Sequence, residues 1–336
     1  MLGVAKIATA KVIPAMRNCR SSEVTAIASR DLDKARRAAE ALGIPRAYGS
    51  YKELLADPEV EAIYNPLPNH LHVPWSIRAA EQGKHVLCEK PIALTAREAA
   101  TLVAVRDSAG VLIQEAFMIR SHPQWLRAID IVESGRLGSV RAIIGAFSYF
   151  NEDAANIRNM AEYGGGALMD IGCYLINTAR FVYRREPDRV LGLIDRDPRF
   201  GTDRLTSMLL DFGSAHAVGT CSTQTAPYQR VLVLGATGRI DIEIPFNAPN
   251  DRPCRLFVDG EAMETPTCDQ YAIQADLFSE AIRARATAPY PLEDSVRNMA
   301  VIEAVFRSTR SGRWETPEAA LRAPAPTRAP GPAPLS

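Results

Sequence analysis

The first third of the chain alternates between short apolar runs and longer stretches in which apolar residues recur at helical spacing. Short apolar runs bounded by turn residues are typical of buried strands, and strands that alternate with helices predict a doubly wound parallel sheet. The predicted helices are residues 11–17, 32–42, 51–56, 73–82 and 96–109, and the predicted strands are residues 23–31, 47–48, 60–66, 85–88 and 111–117. We expect an α/β domain over residues 1–118, with a truncated first strand because only Met1 and Leu2 precede the first turn.

The pattern changes after residue 118. A predicted helix at residues 123–133 and a long strand at 139–150 lead into strands with no helices between them, at residues 189–195, 205–212, 215–224, 230–235, 239–244 and 254–258. Such a succession predicts an open, mostly antiparallel sheet, which helices at residues 270–284 and 292–309 complete. We expect a second, α+β domain over residues 119–320 and a disordered Pro- and Ala-rich tail over residues 321–336.

Charge and composition exclude several classes of protein. The 336 residues include 39 Lys plus Arg and 39 Asp plus Glu, and no basic block favours nucleic acid or an anionic membrane. No apolar run reaches the length of about 18 residues that is typical of a membrane span, and no signal pattern opens the chain. Six scattered cysteines without a CxxC pair predict reduced thiols and no metal site. We expect a cytoplasmic protein.

The first candidate for chemistry is Lys90. The apolar run at residues 85–88 predicts a buried strand, which ends on Glu89 and Lys90 and is stopped by Pro91. In an open α/β sheet the carboxyl ends of the strands face the ligand crevice, so Lys90 is expected to point at a ligand. The alternative is a solvated ion pair that closes the strand. The chain has only six lysines and none after Lys90, which slightly favours a special role.

A second candidate is the turn at the start of the chain. Gly3, Ala5, Ile7 and Ala8 belong to a G-x-A-x-x-A run followed by a helical stretch. This is a degenerate form of the glycine turn that lets a pyrophosphate approach the backbone at a helix N-terminus. The alternative is a turn of small residues with no ligand.

The strand at residues 23–31 ends where a dinucleotide's adenosine ribose is usually bound. Its tip carries Ser29 and Arg30, with Lys34 one turn later. A hydroxyl, a guanidinium and an ammonium suit a 2′-phosphate better than a free 2′-hydroxyl, so NADP is favoured over NAD. Asp31 leaves NAD as the alternative.

Several motifs together resemble one enzyme family. They are Ala5 to Ala8, Asn65 to His72, Gly83 to Pro91, and Gln114 to Met118 followed by His122-Pro123-Gln124. The chain resembles the Gfo/Idh/MocA oxidoreductases, and within them the branch of glucose-fructose oxidoreductase, NADP-dependent D-xylose dehydrogenase and dimeric dihydrodiol dehydrogenase. The resemblance runs from about residue 2 to about residue 315. It implies a nicotinamide cofactor bound by a Rossmann domain.

The run from Gly164 to Tyr174 supplies two more candidates. If a helix begins at Leu168, then Asp170 and Tyr174 lie four residues apart and share a face. Without the resemblance, these are equally a helix-terminal acid and a core tyrosine. The resemblance implies that Tyr174 is the catalytic proton acceptor, beside Lys90. It also implies that Asp170 binds a sugar hydroxyl or holds the lysine. We expect the Lys90 ammonium to lower the pKa of Tyr174.

The resemblance also implies roles for other residues. Pro66, Asn69 and His72 are expected on the nicotinamide side, Glu89 is expected to orient Lys90, and Arg158 is expected to contact the substrate together with Lys90, Asp170 and Tyr174. Ile119 departs from the family pattern, in which this position often carries an aromatic residue.

The implied reaction is hydride transfer between NADP and C1 of a cyclic aldose, which gives a lactone. One alternative enzyme keeps NADP bound and passes the hydride to a second sugar; another oxidises a dihydrodiol. A third reading, of another class, is a sugar- or nucleotide-sensing regulator on the same fold, against which the presence of both Lys90 and Tyr174 argues. The resemblance further implies a homodimer or homotetramer assembled through the open sheet.

Overall fold

A computed structural model describes residues 1–318, so the predicted disordered tail lies outside the described residues. The strands are β1 (Ala26–Ala28), β2 (Arg46–Tyr48), β3 (Ala62–Asn65), β4 (His85–Cys88), β5 (Ile113–Glu115), β6 (Val140–Phe150), β7 (Arg189–Arg196), β8 (Asp203–Asp211), β9 (His216–Ser222), β10 (Gln224–Gly235), β11 (Arg239–Ile242), β12 (Cys254–Val258) and β13 (Glu261–Thr265). The α-helices are α1 (Ile13–Met16), α2 (Leu32–Leu42), α3 (Tyr51–Ala56), α4 (His72–Glu81), α5 (Ala96–Ala109), α6 (Pro123–Glu133), α7 (Cys173–Tyr183), α8 (Gln270–Arg283) and α9 (Leu292–Ser311). Wider, π-helical turns precede α1 at Ala8–Val12 and α7 at Leu168–Gly172.

The N-terminal part contains two parallel sheets, β1–β2 and β3–β4–β5. The first two residues join them. Leu2 pairs with Ala28 of β1 as an isolated bridge, and its backbone N–H donates to the carbonyl of Tyr64 in β3 over 3.0 Å. The first strand is therefore reduced to a single bridging residue, which connects the β1–β2 sheet to the β3–β4–β5 sheet. The carboxyl ends of β1, β3, β4 and β5 lie on the same side.

The C-terminal part is built on an eight-stranded sheet in the order β13-β12-β11-β10-β6-β9-β8-β7. Its strands pair antiparallel except for β6 and β9, which are parallel. The helix α7 packs on one face against β6 and β9. A parallel sheet joined to a mostly antiparallel one confirms the predicted fold class. The proposed domain bounds at residues 118 and 320 stay a prediction.

The other face of the large sheet carries an apolar row. Leu232, Ile144, Val218, Leu209 and Leu191 are successive partners across β10, β6, β9, β8 and β7. All five keep some exposure to solvent, and Ile144 and Val218 are 46% and 43% exposed. Among residues 1–318, no helix is long and apolar enough to cross a membrane.

Candidate active site

A cleft of about 830 Å³ lies between the two parts of the chain. Its walls come from the carboxyl ends of β1, β3 and β4 on one side and from β6, the loop after it and the start of the α7 segment on the other. The sheet geometry explains the position, because parallel strands present their carboxyl ends, and the loops that follow them, at one edge.

The glycine turn forms one end of the cleft. Gly3 has φ +81°, and a Cβ built on it would lie 2.9 Å from Leu67 Cδ2, so the turn requires glycine. Ala5 and Ile7 line the cleft as predicted, at the start of a helical segment. Ala8 does not. It is fully buried in the core beneath the turn, because the helical segment turns its side chain toward the sheet.

Cations surround this end of the cleft. Ser29, Arg30 and Lys34 line it as expected. Asp31, which kept NAD open as an alternative, instead caps α2 by accepting the backbone N–H of Lys34 over 3.0 Å. The polar side chains of Lys6, Lys11 and Tyr51 also line it and were not predicted from the sequence. The spacing of Ile7 and Lys11, four residues apart on one helix face, was the available signal.

His72 belongs to the cleft wall, and its ring contacts two backbone carbonyl groups. Only 1% of the residue is exposed. Its Nδ1 lies 2.8 Å from the carbonyl oxygen of Pro91, and its Nε2 lies 2.6 Å from that of Leu67. Burial lowers the pKa of His72 to about 4. The ring therefore joins the loop after β3 to the loop that follows Lys90, and the expected place of His72 on the nicotinamide side stays a prediction.

Asn69 and His70 form a latch with Tyr163 and Gly164 across the cleft. The Asn69 amide donates to the carbonyl oxygen of Gly164 over 2.9 Å, and the rings of His70 and Tyr163 stack with centroids 4.3 Å apart. Asn69 also lines the cleft, with Pro66 beside it. Residues from the N-terminal part thus hold residues from the C-terminal part.

Lys90 lies at the centre of the cleft floor. Its Nζ donates to the backbone oxygen of Asp170 over 2.6 Å and lies 3.4 Å from Asp170 Oδ1. It also lies 4.8 Å from the centroid of the Tyr174 ring. Burial alone would lower the pKa of Lys90, but the Asp170 carboxylate outweighs it and the pKa is raised. The structure therefore brings together the three predicted catalytic side chains.

Asp170 is saturated by donors of the protein itself. Besides Lys90, its Oδ2 accepts from Arg158 Nε over 2.9 Å and from the Tyr149 hydroxyl over 2.6 Å. Burial would raise the pKa of Asp170, but the Arg158 and Lys90 cations hold it well below its ordinary value. Tyr149 was missed in the sequence analysis. Strand alternation was the available signal, because Phe147 and Tyr149 lie on the side of β6 that faces the cleft.

Glu89 has a different partner from the one expected. Its carboxylate accepts from the Tyr64 hydroxyl and from the backbone N–H of Lys90. Within residues 1–318 the acid that bonds the Lys90 ammonium is Asp170, not Glu89. Burial raises the pKa of Glu89. Glu89 lines the cleft and bonds the backbone of Lys90 rather than its ammonium, and the prediction that it orients Lys90 stays a prediction.

Tyr174 departs most from expectation. Its hydroxyl lies 3.4 Å from Met118 Sδ, and its ring meets that of Phe117 edge-on at 5.3 Å. Burial raises the pKa of Tyr174 well above its ordinary value, so the expected lowering by Lys90 is wrong. The Lys90 ammonium lies 4.8 Å from the centroid of the Tyr174 ring, and a π-helical turn, Leu168–Gly172, leads from Asp170 into the helix that carries Tyr174.

Fold and site together define an oxidoreductase with a dinucleotide-binding domain. Residues 1–117 match the family model described as oxidoreductase family, NAD-binding Rossmann fold, and residues 125–241 match the GFO/IDH/MocA C-terminal domain. The chain belongs to the GFO/IDH/MocA family of oxidoreductases, which confirms the family predicted from its motifs.

Three relatives illustrate the range of this similarity. D-xylose 1-dehydrogenase (NADP(+)) 2 of Haloferax volcanii is 38% identical, over 93% of this chain and 97% of the relative. A 3-ketoreductase from Actinomadura kijaniata, solved with NADP and TDP-benzene, is 31% identical with a TM-score of 0.87, covering 91% and 96% of the two chains. The aldose-aldose oxidoreductase from Caulobacter crescentus, solved with glycerol, is 29% identical with a TM-score of 0.86, covering 94% and 98%.

Proposed function

We propose that this chain is an NADP-dependent sugar dehydrogenase that oxidises an aldose at C1 to a lactone. The observation that carries the proposal is the cluster of Lys90, Asp170 and Tyr174, which lies in the same cleft as a glycine turn lined by cations. The relative from Haloferax volcanii, a D-xylose dehydrogenase, supports the choice of an aldose.

The cofactor end of the cleft fits a phosphorylated dinucleotide. Gly3 has no side chain and lies against Leu67, so its backbone is accessible to a pyrophosphate. Ala5 and Ile7 lie beside it, at the start of the helical segment. Ser29, Arg30 and Lys34 would hold a 2′-phosphate, while Asp31 is engaged as a helix cap. These contacts favour NADP over NAD. When bound, the nicotinamide supplies the hydride acceptor.

The residues of the chain supply the proton chemistry. We assign Lys90 Nζ as the donor that binds the oxygen of the reacting carbinol, with Asp170 holding the ammonium in place. The Tyr174 hydroxyl is the proposed acceptor of the carbinol proton, at the wall beside Lys90. Pro66, Asn69, Glu89 and His72 shape the cleft around them.

The substrate end favours an uncharged sugar. Arg158 lines this part of the cleft, but its guanidinium is paired with Asp170. The neighbouring loop adds the side chains of Asn151, Asp153 and Asn156, which suit hydroxyl groups rather than a phosphate. A free aldose fits this arrangement better than a sugar phosphate does.

Two other enzymatic readings have support. The aldose-aldose oxidoreductase favours an enzyme that retains NADP and reduces a second sugar, and the 3-ketoreductase favours a carbonyl substrate reduced at another carbon. Dihydrodiol oxidation stays a third candidate, because a dihydrodiol dehydrogenase of Mus musculus is 31% identical over 73% of this chain. A non-catalytic sensing regulator is disfavoured by the assembled Lys90–Asp170–Tyr174 cluster.

Assembly and location complete the proposal. A homodimer or homotetramer formed through the large sheet is supported by the apolar row on its outer face. The cytoplasmic location follows from the sequence alone and stays a prediction.

The test measures nicotinamide absorbance with purified protein, NADP⁺ or NAD⁺, and a panel of free aldoses, aldose phosphates and a trans-dihydrodiol. Lys90→Met and Tyr174→Phe are run beside it. Lys84→Met is the matched control, because Lys84 is also a buried lysine, donating to the carbonyl oxygen of Asp57 over 2.7 Å, away from the cleft. We expect turnover of one free aldose with NADP⁺, lost in the first two variants and kept in the control.

Other outcomes decide between the alternatives. No absorbance change with any substrate, together with NADP that copurifies with the protein, would support the enzyme that retains its cofactor. Turnover of a dihydrodiol or an aldose phosphate alone would replace the proposed substrate. Full activity in Lys90→Met would contradict the proposed mechanism.

A further inference from the structure

Three consecutive glycines precede the segment that carries Asp170 and Tyr174, and each lies against a different part of the protein. A Cβ on Gly164 would lie 2.3 Å from Leu94 Cδ2, and one on Gly165 would lie 2.4 Å from the backbone oxygen of Arg158. A Cβ on Gly166, whose φ is +113°, would lie 1.9 Å from Asp203 Oδ1. The last contact is the closest of the three, and its partner is a buried acid outside the cleft.

The segment after these glycines begins without a cap of its own. Helices ordinarily start with a Ser, Thr, Asp or Asn whose side chain accepts one of the first N–H groups. Here the residue before the helical turn is Ala167, which provides no side-chain acceptor. A helix start in the protein interior needs a partner for its free N–H groups, because water cannot supply one.

Asp203 supplies that partner from the first residue of β8. Its Oδ2 accepts the backbone N–H of Leu168 over 2.7 Å and the hydroxyl of Thr206 over 2.8 Å. The residue is 1% exposed, and within residues 1–318 no cation lies within salt-bridge distance of it. The Asp203 carboxylate therefore caps the helix start, where its negative charge also complements the helix dipole.

We propose that Asp203 is a positioning residue for the reaction, which caps the Leu168–Gly172 turn from outside the cleft and thereby fixes Asp170 and Tyr174 against Lys90. The inference rests on the proposed function, because it concerns the same site. Leu168 lies two residues before Asp170, whose backbone oxygen is the shortest contact of the Lys90 ammonium. A shift of the helix start displaces that oxygen, the carboxylate and the Tyr174 ring together.

This assignment also explains the glycines. Gly166 leaves room for Asp203 Oδ1, and the absence of a side chain there lets a carboxylate from a strand 35 residues further on reach the helix start. A local cap at residue 166 or 167 would not need that space. The cap and the close approach are therefore two parts of one arrangement.

The experiment compares Asp203→Ala, Asp203→Ser and Asp203→Asn with a matched control, Asp197→Ala. Asp197 is also a buried acid that accepts backbone N–H groups, from Arg199 over 2.7 Å and from Phe200 over 3.1 Å. It accepts from the Gln224 amide as well, over 2.6 Å, and none of these three bonds involves the Leu168–Gly172 turn. Two quantities are measured on the full chain. One is hydrogen exchange of the Leu168 amide, and the other is kcat and KM of aldose oxidation with NADP⁺.

We expect Leu168 to exchange faster in the Ala and Ser variants, since the Ser hydroxyl is one bond too short to reach, and to stay protected in Asp203→Asn and Asp197→Ala. In the same two variants kcat should fall by about 10- to 100-fold, because small displacements of a catalytic group are costly. KM should change by less than about threefold, and the Asn variant should recover most of the rate.

Three results would overturn the proposal: an unchanged kcat in Asp203→Ala, an equal loss of kcat in Asp197→Ala, or failure of both the Ala and Ser variants to fold where Asp197→Ala folds. The exchange measurement keeps this inference separate from the proposed function. If the wild type oxidises no aldose while Leu168 exchange still depends on Asp203, the substrate assignment fails and the capping role stands.

Discussion

Lys90 and Tyr174 are both held in their protonated forms. The Asp170 carboxylate raises the pKa of Lys90 despite burial, and burial raises that of Tyr174 well above its ordinary value. Oxidation of a carbinol releases a proton, so one group of the site has to be deprotonated to receive it. In the opposite direction, when a carbonyl is reduced, the same two groups are already protonated and can donate a proton to its oxygen.

We predict that aldose oxidation accelerates with pH. A base whose pKa lies above its ordinary value is present only in a small fraction at neutral pH, and that fraction rises about tenfold for each pH unit below the pKa. The logarithm of kcat should therefore rise between about pH 7 and about pH 9 with a slope near one. Reduction of the lactone or of a ketose should stay nearly constant over the same range, because the protonated Tyr174 that acts as donor is almost fully populated at every pH below its pKa.

The measurement is a pair of pH–rate profiles, one in each direction, with stability monitored at each pH. Arg158→Lys provides a control, because it keeps the cation beside Asp170 and leaves Tyr174 untouched. A bell-shaped oxidation profile centred near pH 7 would contradict the assignment of Tyr174 as acceptor.

At the scale of elements, the glycine segment is where the two parts of the chain fit most closely. Gly164 has φ +76°, and a Cβ there would meet Leu94 Cδ2 at 2.3 Å and Asn69 Cβ at 3.4 Å. The latch therefore depends on backbone at this position. A side chain would push the segment away from the loop that carries Asn69.

We predict that Gly164→Ala destabilises the protein more than Gly110→Ala. Gly110 also has a positive φ, +64°, but has no atom within 4 Å of a built Cβ, so its cost is the backbone strain of about 1–2 kcal/mol. Gly164→Ala should add about 1–3 kcal/mol for overpacking. Urea unfolding of both variants measures the difference, and equal losses of stability would contradict it.

The elements themselves follow closely from local pattern. The bounds of α2, α3, α5 and α6 agree with the predicted ones, and each of these helices has a capping side chain at its start. The strand β13 was missed. Its residues Glu261–Thr265 are mostly exposed and contain only two apolar side chains, since the strand lies at the edge of the sheet.

The site followed from sequence less completely than the elements did. Motifs and resemblance located Lys90, Asp170 and Tyr174 but left open whether Asp170 or Glu89 holds the lysine, and they missed Tyr149. Which acid holds an ammonium depends on the packing of two distant segments, and local spacing does not contain that information. The predicted direction of the Tyr174 pKa shift was wrong for the same reason, because burial is set by tertiary packing and not by local sequence.

At the scale of the whole molecule, the apolar row across five strands has no cover within residues 1–318. Leu193, two residues along β7 from Leu191, extends it and is 75% exposed. An apolar face of this kind favours a second copy of the chain as its cover, because sheet faces that pack together are apolar on both sides.

We predict that charge on this face breaks the assembly. Val218→Lys and Leu193→Lys should lower the molar mass in solution to the 36.7 kDa of one chain, whereas the wild type should have at least twice that mass. Leu126→Lys is the control, since Leu126 is 46% exposed on α6 and lies off the sheet. Light scattering after size-exclusion chromatography measures the masses, and a wild type that is already a single chain would refute the prediction.

The latch between Asn69 and Gly164 closes part of the cleft, so opening of the cleft requires this contact to break. We expect a dinucleotide bound in this cleft to leave only after that hydrogen bond and the stack of His70 on Tyr163 have parted, in which case its residence time depends on a motion of the protein. A long residence lets one nicotinamide serve an oxidation and then a reduction without exchange, while a short one commits the enzyme to a fresh cofactor in every cycle. Dehydrogenase and closed-cycle oxidoreductase then differ by a single rate constant on an otherwise common site.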